Sequence, residues 1–181
     1  MEEINSIAQR KDLNPLLFAS LVAQESSFNP KAVSIARAVG LTQVTPIADN
    51  DIRSVDSSFV SYPNTNKISY IDLKYKIYRG IINKDNDWRL NEVKSLKGGS
   101  IYLKQLKDYW ETSRNSLFLK NKLSKINQAD IVLASYNSGA TRVRRNISKH
   151  KDKWLNSKEL IEARKYVSNI KSYCNDFKDN Q

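Results

Sequence analysis

The chain has 181 residues, 40% of them hydrophobic and 27% charged, which suits one globular domain and excludes an intrinsically disordered chain. Lys and Arg outnumber Asp and Glu by 30 to 19, a net charge of +11 with a pI near 9.7, so anionic polymers such as nucleic acid, acidic lipid surfaces or the bacterial wall are the partners that charge favours. A single cysteine, Cys174, excludes an intrachain disulfide and a cysteine-based zinc cluster, and no stretch approaches the ~20 apolar residues of a membrane span.

The first residues are acidic and lack the apolar core of a secretory signal, so no export signal is expected within this chain. Asn14-Pro15 reads as a helix cap followed by proline at the first helical position, opening a helix that runs to about Ser27 before Asn29-Pro30. Residues 31–50 are short pieces in which Pro46 can open a helix capped by Thr45, and 51–66 read as polar and turn-like. Leu73, Ile77 and Ile81 recur at steps of four and predict a helix within 67–83. A helix over about 91–111 carries Val93, Leu96, Ile101, Leu103 and Leu106 as core candidates. Another runs over 127–138 and ends at Gly139, and a last one covers 157 to about 177. No strand pair is evident, so the expected class is mainly α.

Glu25 follows Val22, Leu21 and Phe18 at three, four and seven residues, the spacing of one helical face. On that face a carboxyl loses solvent and meets the negative end of the helix dipole; both favour a protonated general acid near neutral pH. A glutamate at a helix end also commonly curls out into water, and the stripe alone leaves both readings open.

Four ordered segments add to it: Glu25-Ser26-Ser27-Phe28-Asn29-Pro30, Gly40-Leu41-Thr42-Gln43-Val44-Thr45-Pro46, Ala134-Ser135-Tyr136-Asn137-Ser138-Gly139, and Glu162-Ala163-Arg164-Lys165-Tyr166-Val167. This set resembles the soluble lytic transglycosylases, whose catalytic domain shares the goose-type lysozyme fold. The resemblance covers roughly residues 10–50 and 90–171. It implies a single lysozyme-like helical domain over 1–181, with a family-atypical insert at about 50–90 forming a lobe beside the cleft.

The resemblance further implies that Glu25 is the single catalytic acid and base. Ser34, Gln43, Thr45, Tyr136, Asn137, Glu162 and Tyr166 are then expected to bind substrate. Read without it, Ser34 and Gln43 suit turn hydrogen bonding, Tyr136 suits a core tyrosine, and Glu162 and Tyr166 suit a helix-face pair four residues apart. Two positions depart from the family pattern: Thr42 stands for the usual methionine, and Arg37 stands where glycine is common.

The implied partner is peptidoglycan, cut between N-acetylmuramic acid and N-acetylglucosamine to give 1,6-anhydro ends. The chain is expected to act as a monomer in the cell envelope, periplasm or outside the cell, associated peripherally with the wall. No cofactor, metal or nucleic acid is expected; the one histidine, His150, lies in a lysine-rich stretch and reads as solvated. Two other readings stand beside this one. A hydrolase on the same fold needs a second carboxylate, for which Asp49, Asp51 and Asp56 are candidates against ordinary turn chemistry. A non-catalytic basic module with nine tyrosines would bind wall or nucleic acid without cutting it.

Overall fold

The computed structural model describes residues 2–179, and contacts divide the chain into two compact units, Met1–Tyr102 and Leu103–Gln181. Among the described residues regular structure is helical, and the only bridges are Val33 with Val39 and Val39 with Val44. The mainly α class is borne out.

The first unit opens with a helix the sequence reading did not include, α1 (Glu2–Arg10). Ile4, Ile7 and Ala8 share one face, are buried, and pack α1 against α2 (Pro15–Ser26). The Asn14 side chain accepts from the Leu17 amide at 3.0 Å, and Pro15 takes the first helical position as expected. The helix stops ahead of Asn29-Pro30 because Ser27 and Phe28 both turn left-handed, at φ 50° and 60°, with the Ser27 amide closing onto Ala23 O at 2.9 Å.

Thr45 caps α3 (Pro46–Val55), accepting from the Ala48 amide at 3.3 Å. This helix runs further into the polar segment than its composition suggests, because Ala48 and Ile52, four apart, are buried with Val44, Phe59 and Trp88. Ser69 caps α4 (Tyr70–Tyr78), whose Leu73 and Ile77 are buried as expected. Ile81 is not a core residue: Gly80, at φ 73°, reverses the chain, the step of four ends, and Ile82 enters the cluster of Val39, Leu73, Ile77 and Leu90 instead. In α5 (Glu92–Glu111) the core candidates Leu96, Leu103 and Leu106 are buried, while Val93 is exposed. Val93 stands in the first, exposed turn of the helix, ahead of the buried residues Ser95, Leu96, Gly98, Gly99 and Ser100.

A buried polar hub ties these pieces together. Asp87 and Arg89, both with wholly buried side chains, are joined at 2.7 Å. Arg89 also donates through Nε to Asp87 Oδ1 at 2.9 Å and through Nη2 to Thr65 Oγ1 at 3.1 Å. Between them, Trp88 donates its indole N–H to Asp49 on α3 at 2.7 Å, and Ser61 donates to the same carboxylate oxygen at 2.6 Å.

The second unit holds α6 (Ser113–Lys122), α7 (Gln128–Ser138), α8 (Ala140–His150), tight 3-10 turns over Lys151–Asn156 and Lys158–Leu160, and α9 (Ile161–Asp179). α7 packs against α8 and α9, around Ile131, Leu133, Val143, Ile147, Ala163 and Ile170. Trp110 donates to Ser135 Oγ at 2.9 Å inside this core. Gly139, at φ 82°, ends α7 as expected and opens α8 at once. The sequence reading missed α8 because its only buried apolar residues, Val143 and Ile147, stand among arginines. No helix of the described residues is long and apolar enough to cross a membrane.

Gly40 has φ +83°, and a Cβ there would fall 1.9 Å from the Arg89 carbonyl oxygen. Gly80 has a similar φ but nothing within 4 Å of a Cβ. Gly40→Ala is therefore expected to lower stability by about 3 kcal/mol and Gly80→Ala by about 1 kcal/mol, measured by urea unfolding. Equal losses would contradict the close approach at Gly40.

Candidate active site

In the first unit, Phe18, Leu21 and Val22 are wholly buried, and Glu25 continues their stripe into the last turn of α2, where it is half-buried. The helical-face reading of this segment therefore holds. The next residue, Ser26, donates its hydroxyl to Leu41 O at 2.8 Å as well as to Val22 O within the helix. That bond fastens the loop carrying Gln43 to the end of α2 that carries Glu25. Sequence reasoning missed Ser26; its signal was its place directly after the acid.

The loop from 32 to 45 is braced on itself. Val39 and Val44 exchange amide–carbonyl bonds of 3.2 Å, and the Gly40 amide donates to Ala32 O at 3.0 Å. Gln43 Nε2 donates to both Ala32 O and Gly40 O, each at 3.0 Å. Its amide group therefore serves the loop, in keeping with the turn reading. Ser34 Oγ accepts from the Ala38 amide at 3.1 Å, closing the tight turn whose tip includes Arg37. Thr45 is the cap of α3.

Both departures from the family pattern have local explanations. Arg37 keeps a left-handed backbone, φ 63°, the conformation for which glycine is usually chosen, and its guanidinium donates to Asn66 O at 2.6 Å. Thr42 is wholly buried and donates to Ser95 O at 3.0 Å, with its side chain 2.5 Å from where a Gly99 Cβ would stand. A longer side chain at 42 has no room while α5 approaches this closely.

Among the described residues, seven non-glycine positions have positive φ, and four of them, Ser27, Phe28, Arg37 and Gln43, lie between 27 and 43. Strain is thus concentrated in the segment following Glu25, where held-open geometry is functional more often than accidental.

The three candidate aspartates differ. Asp49 is buried, accepts from Trp88 and Ser61, and lies 4.0 Å from Arg53. Asp56 is partly exposed and accepts from the Ser58 amide at 2.9 Å; hydrogen bonds from Ser58 hold its carboxyl below the ordinary range. Asp51 is exposed, and its charge, after burial, helps push the Tyr102 phenol up. Within 50–90, Lys74 and Lys76 sit 5.8 Å from the rings of Tyr70 and Tyr62, so part of the tyrosine and lysine content is spent on local pairing.

In the second unit, Tyr136 and Asn137 occupy the last turn of α7; Tyr136 is half-buried and Asn137 exposed, its Oδ1 accepting from Ser138 at 3.0 Å. Tyr166 is buried on α9, against which α7 packs, while Glu162 one turn earlier is exposed. His150 is half-buried beside a basic pocket and is not simply solvated. Among the described residues no group of three or more His, Cys, Asp or Glu side chains is arranged to hold a metal ion.

These features define a helical protein of the lysozyme-like class. The resemblance to the soluble lytic transglycosylases is borne out: the family model for the transglycosylase SLT domain matches residues 2–69, which take in Glu25, Ser34, Gln43 and Thr45. Among solved structures, the chain is similar to an inactive mutant of the lytic transglycosylase Slt from Pseudomonas aeruginosa, at 20% identity and TM-score 0.62. It is also similar to the 70 kDa soluble lytic transglycosylase SLT70 from Escherichia coli, at 19% identity and TM-score 0.59. Each likeness covers 96% of this chain and 23% of the other, so the chain spans about a quarter of their length. No curated protein matches the chain.

If Gln43 braces the loop, Gln43→Leu strands the carbonyls of Ala32 and Gly40 and is expected to destabilise the protein by about 2 kcal/mol. An unchanged urea midpoint would remove the bracing role.

Proposed function

We propose that the chain is a peptidoglycan-cleaving domain of the lytic transglycosylase type, acting in the cell envelope, with Glu25 as its single acid and base. The observation that carries this is a half-buried carboxyl at the end of a wholly buried stripe, followed at once by a strained, internally braced loop that the SLT family model takes in. The similar Pseudomonas structure is described as inactive with glutamine in place of a glutamate, which fits a glutamate-dependent reaction.

In this reading Glu25 gives its proton to the glycosidic oxygen between N-acetylmuramic acid and N-acetylglucosamine, and that bond breaks. The same carboxylate then takes the proton of the muramoyl C6 hydroxyl, whose oxygen bonds to the anomeric carbon. The product is a 1,6-anhydro end, and no water is consumed. Ser34, Gln43, Thr45, Tyr136 and Asn137 position the sugars, and Glu162 and Tyr166 form a further contact. A braced loop suits this work, since positioning fails when the supporting backbone is loose.

Glu25→Gln is expected to lower turnover on purified wall by at least about 100-fold while leaving the unfolding midpoint unchanged. Turnover near the wild-type level would remove Glu25 from the chemistry. A hydrolase reading requires a carboxylate free to activate water. Asp49 is buried, its Oδ1 taken by both Trp88 and Ser61 and its Oδ2 4.0 Å from Arg53, which favours the single-acid route. Asp49→Asn is accordingly expected to cost stability but to leave anhydro products in the mass spectrum. Reducing ends from the wild-type chain would favour hydrolysis instead.

A further inference from the structure

The mechanism above leaves the charge of the chain unused. The second unit carries seventeen Lys and Arg against eight Asp and Glu, a net of +9, whereas the first unit nets only +2. Much of the excess falls between Arg142 and Lys158, on α8 and the turns after it.

That segment forms a pocket lined by Lys149, His150, Lys153 and Lys158, with Ser157 and Glu159 in its wall. Ser157 is 8% exposed, and its hydroxyl is buried with no hydrogen-bond partner. A buried hydroxyl without a partner is uncommon in a folded protein and calls for a reason. Here it stands in a wall otherwise dominated by cations, where the missing partner is an acceptor of negative charge. Glu159 does not supply it. Its Oε2 accepts from Arg145 at 2.6 Å and Asn146 at 3.2 Å, and these bonds, Arg145 first, hold its carboxyl below the ordinary range.

We propose that this pocket binds the phosphate groups of a phosphodiester-linked envelope polymer. Three ammonium groups and a hydroxyl match a tetrahedral oxyanion, which offers several acceptor oxygens at once. A neighbouring concavity, lined in part by Thr141, Arg144, Arg145 and Ser148, shares Lys149 with the pocket, so one strand can lie along both. Nucleic acid fits less well. Apart from the half-buried His150 imidazole, the one aromatic ring in either lining is Phe118, which Arg144 already covers at 3.9 Å, so no Phe, Tyr or Trp face is left on which successive bases could stack. The inference extends the wall-cutting reading, because such polymers are attached to bacterial walls. It concerns binding alone and is tested without turnover.

The test is equilibrium binding of the full chain to poly(glycerol phosphate), inorganic phosphate, and single-stranded DNA of equal phosphate count, at about 0.15 M salt. The polymer is expected to bind more tightly than either competitor. Replacing Lys149, Lys153 and Lys158 together by Ala is expected to weaken it about tenfold, while the same change at the exposed Lys84, Lys94 and Lys97 stays within about twofold. Ser157→Ala is expected to weaken binding without lowering the unfolding midpoint, since the hydroxyl makes no bond in the free protein. Equal losses from the two lysine sets would reduce the effect to net charge and overturn the site. So would DNA or inorganic phosphate binding as well as the polymer, or a Ser157→Ala variant that loses stability and keeps its affinity. Failure here leaves the outcome for Glu25→Gln untouched.

Discussion

The first unit depends on a charge pair taken wholly out of water. Asp87 and Arg89 are each 0% exposed in their side chains, and removing either would leave the other charge buried alone, a loss of about 3–5 kcal/mol. The pair survives burial because the carboxylate is saturated. Its Oδ1 accepts from the Arg89 amide and Nε, and its Oδ2 from Nη2 and the Tyr62 amide. Arg89 Nη1 remains without a partner, so the pair is not fully compensated and is better understood as fixing geometry than as a net source of stability. What it fixes is the backbone of Arg89, whose carbonyl meets Gly40, and the indole of Trp88, which holds α3 through Asp49.

The loop after Glu25 inherits that geometry. Gly40 can lie against Arg89 only without a side chain, and Thr42 enters beside Gly99 for the same reason. With those two points set, the left-handed residues at 37 and 43 are held by Arg37 to Asn66 and by Gln43 to Ala32 and Gly40. Strained φ values persist only where surroundings over-determine them, and here Arg37 and Gln43 each have a named side-chain clamp. The proposed acid thus lies beside a loop whose shape is set before any sugar arrives, which is the condition under which positioning groups lower a barrier.

Much of this was legible in the sequence. Asn14-Pro15, Thr45-Pro46 and Gly139 mark helix boundaries by local chemistry, and all three stand where that chemistry puts them. The Phe18–Leu21–Val22 stripe needed only the helical period. What escaped was non-local. Asp87-Trp88-Arg89 looks like an ordinary polar turn until Asp49, Ser61 and Thr65 are brought to it across 24 to 39 residues of chain. Ile81 and Ile82 are equivalent by composition, and only the turn at Gly80 chooses between them. Gln43 reads as a sugar ligand or a loop brace from its type alone; its two carbonyl partners are visible only in three dimensions.

The division of charge bears on the chemistry as well. A general acid must still hold its proton when it meets the glycosidic oxygen, and nearby cations work against that by favouring the carboxylate. A basic chain that acts on an anionic wall therefore faces two conflicting demands. This chain separates them along its length. α2 contains no lysine or arginine, and its unit is close to neutral, while the net positive charge is carried by the other unit, above all on α8 and the turns after it. In the proposed reading, attraction to the polymer and the proton of Glu25 are assigned to different stretches of sequence, and either can change without undoing the other.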